Sequence, residues 1–299
     1  MLGMWWLSIF LAFLTACAPF NQHKTEAGNL LSILSSSTNM QNVTKLEDFR
    51  YGSFLRQSLD VYVPKNKARG ILVFGYGGGF KDGNKDEYGF AGEAFASLGF
   101  VTVIYDYRLN PDFTFPSYLE DAALVVRWAV DHAKRFGVDP KNLLVAGHSA
   151  GGYLAAMLAS DKRYLERVGL KPKDIKLALC FSGGFDFYDP KRLEHNGFLS
   201  EDFKDVFGNP STYLETQPIN FVNGDEPAFL IVHGVQDQIL PVSQARTFVK
   251  KLQDTRDQIT YLEYENLDHA QTITTVAQPL RFLSSVYADI KTQLEKLKW

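Results

Sequence analysis

Cysteine is nearly absent from this chain of 299 residues, which carries only Cys17 and Cys180. No Cys/His spacing of the kind that holds a metal ion occurs, so neither a metal nor another cofactor is expected. If Cys17 is modified or removed, Cys180 stands alone and no intramolecular disulfide can form. A G-x-G-x-x-G fingerprint is missing from the first strand–helix turn, which argues against a dinucleotide site. Charge of one sign is also lacking: 31 Lys and Arg against 34 Asp and Glu leave a net −3, which gives no general attraction to nucleic acid. There is no internal repeat and no sign of a second domain. The apolar run Met4–Leu14 is too short for an ordinary membrane-spanning helix.

What is present begins at Asn142. Leu143-Leu144-Val145-Ala146 reads as a strand, Gly147-His148-Ser149-Ala150-Gly151 as a sharp turn, and Gly152 onward as a helix. This is the strand–turn–helix setting in which a G-x-S-x-G serine becomes a nucleophile. Glycines on both sides relieve collisions with strand and helix, Ser149 is pushed above the carboxyl edge of a sheet, and the nearby helix N-terminus favours developing negative charge.

A serine is a poor nucleophile at its free pKa and needs an imidazole to move its proton, with a carboxylate to orient that imidazole. Both follow in the order acid, then histidine. Ala228–Val232 reads as a buried strand that leads to Asp237, and Ile259–Tyr264 as another that leads to His269. Asp237 and His269 are therefore expected at the same sheet edge as Ser149. His233 is the strongest rival base, but it lies four residues before Asp237 in one tight connection and reads as a loop-shaping residue. Of the others, His23 falls in an N-terminal tether, His132 inside a helix, His148 at the variable elbow position and His195 in an insertion. Asp186 is the second-choice acid, whereas Asp225 and Glu226 precede their strand and belong at the opposite edge. Donors for a tetrahedral oxyanion are offered by Gly77-Gly78-Gly79 after the strand Ile71–Phe74, together with the Ala150 N–H.

Tyr76-Gly77-Gly78-Gly79-Phe80, Tyr105-Asp106-Tyr107-Arg108-Leu109, Gly147–Gly152, the Asp237 loop and His269 together resemble the esterase/lipase group of the α/β-hydrolase superfamily. The likeness is to its hormone-sensitive-lipase-like and carbohydrate-esterase branches, including bacterial feruloyl/acetyl esterases and arylformamidases, and it covers residues 49 to 299. It implies a serine carboxylic-ester hydrolase with a small-molecule ester substrate, in which Gly78, Gly79 and Ala150 are the oxyanion donors. One departure is Tyr76, where the family pattern usually has His before the three glycines. Because the donors are main-chain groups, Tyr76 is expected to alter loop anchoring rather than abolish catalysis. An amide or formamide hydrolase and an anchored, non-catalytic binding protein on the same fold are the alternatives. A serine exopeptidase would need a further domain for which the chain has no room.

The remaining pattern fits one α/β domain with a mostly parallel sheet flanked by helices. Leu59–Pro64 alternates like an antiparallel strand, Phe100–Tyr105 reads as a buried strand, and Val276, Leu280, Leu283, Val286, Ile290 and Leu294 predict one long terminal helix. From 185 to 222 the alternation lapses around Pro190, Gly197, Gly208, Pro210 and Pro218, which predicts a short lid or pocket wall. Phe185, Phe187, Tyr188 and Phe198 in it could line an acyl or aryl pocket, with Tyr76, Phe80 and His148 as further candidates. At the N-terminus, Met4–Leu14 reads as a signal h-region, although no Lys or Arg precedes it. Leu14-Thr15-Ala16-Cys17 resembles the lipobox of bacterial lipoproteins. Residues 1–17 are then a signal peptide, Cys17 the lipidated residue and 18–48 a polar tether, which makes the protein an exported lipoprotein of a bacterial cell envelope anchored to a membrane. Ala16-Cys17-Ala18 also matches an A-x-A cleavage site, which would give a soluble periplasmic or secreted protein instead.

Overall fold

A computed structural model describes residues 20–187, 204–208, 210–255 and 258–297. Among these residues eight strands form one sheet: β1 (Val43–Arg50), β2 (Ser58–Pro64), β3 (Gly70–Gly75), β4 (Phe100–Tyr105), β5 (Leu143–His148), β6 (Leu177–Phe181), β7 (Ala228–Gly234) and β8 (Ile259–Tyr264). Their order across the sheet is β1-β2-β4-β3-β5-β6-β7-β8. β2 pairs antiparallel with both β1 and β4, and every pairing from β4 through β8 is parallel. The central strands β3, β4, β5 and β6 are buried along their whole length. That is why they read as continuous apolar runs, since helices cover both faces of a parallel sheet.

The helices that cover it are α1 (Phe20–Ser37), α2 (Gly89–Ser97), α3 (Ser117–His132), α4 (Ala150–Ser160), α5 (Lys162–Arg167), α6 (Val242–Asp254), α7 (Gln271–Thr274) and α8 (Val286–Glu295). The chain passes from β3 to β4 on one side and reaches β5 on the other. The carboxyl ends of β3 and β5 therefore flank the point where strand order reverses, where open α/β sheets place their ligands. The register sets Gly75 directly beside Gly147 there.

Two expectations differ from the structure. The segment 18–48 is not a tether throughout: from Phe20 it is helical, Leu34 is buried in the core, the Ser35 hydroxyl donates to Glu87 O at 2.7 Å, and Val43 begins an edge strand. Its apolar stripe is thin because α1 packs at the margin of the fold. β1 is rich in charge because it has only one neighbour, the usual protection of an edge strand. The terminal helix is broken into α7, a 3-10 turn at Gln278–Leu283 and α8. Pro279 cannot donate inside a helix, and Leu283 consequently points outward at 46% exposure.

Of the expected lid, residues 188–203 lie outside the described residues, and Tyr188, His195 and Phe198 with them. The described remainder docks onto the loop before α3: Phe115 N donates to Val206 O at 3.0 Å and Asn110 Nδ2 to Asp205 O at 2.8 Å. Phe207 packs edge-on to Phe80 and Tyr153 and stacks on Phe187.

Backbone touches backbone where α4 crosses the sheet. A Cβ added to Gly151 would lie 1.9 Å from Gly75 O, and one added to Gly147 would lie 2.3 Å from Gly151 C. Gly151→Ala should therefore force α4 off the sheet and cost about 1–3 kcal/mol or more in urea unfolding. Gly169→Ala, at φ +73° with nothing within 4 Å of the new Cβ, should cost only the left-handed backbone penalty of about 1–2 kcal/mol. A Gly151→Ala midpoint at or above that of Gly169→Ala would refute the packing argument.

Candidate active site

The turn between β5 and α4 holds Ser149 at φ 54°, ψ −118°, a region that non-glycine residues seldom occupy. Two main-chain bonds fix it there: Ser149 N donates to Phe181 O, and Tyr153 N donates to Ser149 O, both at 2.9 Å. Ser149 remains half-buried at the carboxyl edge, directly before the first turn of α4.

Asp237 and His269 arrive from β7 and β8. His269 Nδ1 lies 2.8 Å from Asp237 Oδ2, while Asp237 Oδ1 accepts from the amides of Ile239 and Leu240 at 2.9 and 2.8 Å. Burial works against ionisation of this carboxyl, but the charge of His269, the hydrogen bonds from His233 and His269, and the Leu240 amide outweigh it. The net effect holds Asp237 well below the usual carboxylate range. An ionised Asp237 requires the proton of a neutral His269 to sit on Nδ1, which leaves the Nε2 lone pair available. Among the described residues no hydrogen bond joins Ser149 Oγ to His269. What brings the two together is His148, whose ring centroid is 4.9 Å from that of His269.

His148 is buried, with Nε2 2.9 Å from His269 O and Nδ1 2.9 Å from Tyr88 Oη. Burial, and next the charge of His269, push its pKa down to about 3, so the ring is neutral. A carbonyl oxygen only accepts, which places the His148 proton on Nε2 and makes Nδ1 the acceptor from the Tyr88 hydroxyl. The same hydroxyl accepts from Gly77 N at 3.2 Å. Tyr88 is the residue in this group that sequence reading missed. It is 60 positions from His148, and nothing in its local pattern distinguishes it from a core tyrosine.

Gly77, Gly78 and Gly79 leave β3 over the elbow. A Cβ on Gly77 would be 3.0 Å from Ser149 Cβ, and one on Gly78, at φ +143°, would be 2.0 Å from Asp82 O. Gly79, at φ +60°, faces open space and is exposed. No described hydrogen bond uses the N–H of Gly78, Gly79 or Ala150, so these amides remain available beside Ser149. The loop is anchored from below. Tyr76 is fully buried and stacked on Tyr107 at 4.4 Å, its hydroxyl accepts from Arg56 Nη2 at 2.7 Å, and Tyr107 Oη donates to Tyr76 O at 3.1 Å.

The candidate pocket residues separate on this basis. Tyr76 belongs to the loop's foundation. Phe185 is fully buried and stacked on Phe248 at 4.8 Å, behind the sheet edge rather than in an opening, and His148 is enclosed by its partners. Phe80 and Phe187 belong to a packed aromatic wall with Tyr153, Tyr118 and Phe207. His233 is wholly buried, with Nε2 2.8 Å from Leu240 O and 3.3 Å from Asp237 Oδ2. Asp186 is half-buried after β6, and the described carboxylate bonded to His269 is Asp237.

The depressed pKa of His148 has a consequence for stability. A group that stays neutral when folded but protonates at about 6.5 when unfolded favours the folded state above pH 6.5, and that contribution is lost as pH falls toward 3. Between pH 7 and 5, above the range in which Asp237 contributes, His148→Gln should lose less of its urea midpoint than the unsubstituted protein. Parallel losses would show that His148 titrates normally in the fold.

Comparison with known proteins agrees with this architecture. Esterase LipC of Mycobacterium tuberculosis is 31% identical over 79% of this chain and 64% of its own length. The chain spans 48% and 43% of two further mycobacterial relatives. Among solved structures, a truncated carbohydrate esterase from gut microbiota superposes with a TM-score of 0.73 at 18% identity, over 87% of this chain and 98% of that one. Esterase B from Lactobacillus Rhamnosis (HN001) gives 0.72 at 18%, over 92% and 95%. These likenesses share the α/β-hydrolase fold described above. The BD-FAE family model matches residues 59–252, from β2 to the last turn of α6, and the chain belongs to that family.

Proposed function

We propose that this protein is a serine carboxylic-ester hydrolase that works through an acyl-enzyme. The observation that carries the reading is the 2.8 Å pair of Asp237 and His269 at the same edge as a strained, glycine-flanked Ser149. The esterase names of its relatives support it. Ser149 Oγ attacks the ester carbonyl while His269 Nε2 takes its proton, and Asp237 holds the other ring nitrogen and stabilises the imidazolium. The carbonyl oxygen becomes an oxyanion held by the Gly78, Gly79 and Ala150 amides. Such donors are worth about 2.7–4 kcal/mol each because they are fixed before charge develops. His269 returns the proton to the leaving alcohol, and water repeats the sequence to release the acid. The substrate is a small-molecule ester, and neither metal nor cofactor has a part in these steps.

Hydrolysis of p-nitrophenyl acetate and labelling by a fluorophosphonate test the reading. Ser149→Ala should abolish labelling, and Ser149→Ala, His269→Ala and the double variant should each lose about a thousandfold or more in kcat/KM, because the two side chains act as one unit. Asp237→Asn should lose orders of magnitude, and Asp186→Asn little. Additive single losses, or an unlabelled wild-type protein, would remove the assignment, and the latter outcome would favour a binding protein that retains the fold.

We also propose that the protein is exported and held on a membrane by lipid on Cys17. The apolar run Met4–Leu14 and Leu14-Thr15-Ala16-Cys17 support this, and both lie outside the described residues. Among the described residues no helix is long and apolar enough to cross a membrane. Each buried acyl CH₂ contributes about 0.8 kcal/mol, so more than one chain gives stable attachment. Expressed in a bacterial host, the wild type should fractionate with membranes in high salt and show an acylated mature N-terminus, while Cys17→Ala should not. A soluble wild-type chain beginning at Pro19 would end the proposal.

A further inference from the structure

We propose that Tyr88 and His148 are positioning residues: a proton-ordered brace that ties the glycine loop over Ser149 to the loop carrying His269, so that oxyanion donors and base keep one geometry. The proposal rests on the esterase reading above and deepens it. Four groups stand in series. Gly77 N–H donates to Tyr88 Oη at 3.2 Å, Tyr88 O–H donates to His148 Nδ1 at 2.9 Å, and His148 Nε2–H donates to His269 O at 2.9 Å. Each direction follows from the last link, because the carbonyl can only accept. The chain therefore has one proton arrangement rather than two.

The ends of the brace are the two loops that have to agree. Gly77 precedes the Gly78 and Gly79 amides, and its Cα is so close to the elbow that an added Cβ would touch His148 Nδ1 at 2.9 Å, Ser149 Cβ at 3.0 Å and Tyr88 Oη at 3.0 Å. At the other end, His269 O also accepts from Thr272 Oγ1 at 2.9 Å, and that hydroxyl lies 3.1 Å from Ser182 Oγ after β6. The main chain of the base is thereby held from two sides, while its ring is held by Asp237. Tyr88 and His148 are buried to 2% and 6% exposure. So little of either is exposed that water cannot replace a lost partner without cost.

Neither side chain reaches the reacting atoms, so the expected signature is loss of transition-state stabilisation with little change in ground-state binding. The test uses the full chain as wild type, Tyr88→Phe, His148→Gln and His148→Leu. Active sites are counted by fluorophosphonate titration, so that misfolded protein is excluded from kcat. Tyr88→Phe and His148→Leu should lower kcat per active site by about tenfold or more with KM within about threefold. Their affinity for phenylboronic acid, which forms a tetrahedral adduct on the serine, should fall in parallel with kcat/KM. His148→Gln can place an amide N–H where Nε2 stood and should lie closer to the wild type than His148→Leu.

A role confined to stability would lower the melting temperature and the titrated fraction while leaving kcat per site and boronate affinity as in the wild type, and would overturn the brace. Equal loss in His148→Gln and His148→Leu would also overturn it, since the donor to His269 O would then count for nothing. Should the wild type itself resist the fluorophosphonate, the esterase reading fails and the brace falls with it. A labelled wild type beside unimpaired Tyr88→Phe and His148→Leu sinks the brace alone.

Discussion

The close approach of α4 to the end of β3 governs everything at the carboxyl edge. Gly75 and Gly147 are register partners, and Gly151 lies on the Gly75 carbonyl with no room for a methyl group. This contact leaves room for the chain to turn from strand to helix at Ser149, which two main-chain hydrogen bonds hold at a positive φ. The same contact sets the height of the elbow relative to the loop leaving β3, so Ser149 and the glycine loop are placed by one backbone-to-backbone distance. A side chain at any of the three glycines would separate them. The strain stored at Ser149 is sustained by surroundings that are among the most completely buried in the molecule.

Charge is handled by the opposite device, in which many weak partners fix one strong one. Asp237 is buried, which alone would favour its neutral form, yet two amides and His269 bond to its two oxygens, and His233 Nε2 lies 3.3 Å from Oδ2. A carboxylate so satisfied has no reason to move and orients whatever it touches. The glycine loop is supported in the same way from beneath. Arg56 bridges Tyr76 Oη, Tyr107 O and Gly83 O. Arg108 is locked to the buried Asp121, which also accepts from Gln57. The Tyr105–Leu109 motif is thus a scaffold for the loop, and it holds Tyr76 as part of the loop's foundation.

Much of this was legible in the sequence because it is encoded locally or by order. Continuous apolar runs marked the buried strands β3, β4, β5 and β7, and the succession Ser149, Asp237, His269 placed three loops on one edge before any contact was known. What stayed hidden depends on partners distant in the chain. α1 and β1 carry the mixed polarity of marginal elements, so Leu34 and Val43 in the core could not be distinguished from apolar residues in a tether. The terminal helix kept its stripe across Pro279, because periodicity records which side chains are apolar and not whether the backbone between them can continue. Phe185 and Tyr76 looked like pocket residues because aromatic side chains beside an active edge serve packing and binding alike. Tyr88 carries no local mark at all.

Three buried histidines meet around this edge, and their partners distinguish them. His148 has both nitrogens engaged, one by a carbonyl and one by a hydroxyl, and has no lone pair to offer. His233 donates from Nε2, and its Nδ1 finds no partner among the described residues; yet the ring is wholly enclosed and no substrate could present a proton to it. His269 keeps 8% exposure and donates from Nδ1 to a carboxylate, so its remaining nitrogen keeps a lone pair on a ring that is not wholly enclosed. The assignment of the base therefore does not depend on which histidine lies nearest an acid, since His233 and His269 share the same one. It depends on which imidazole has a lone pair left over and is not wholly enclosed, and that criterion favours His269.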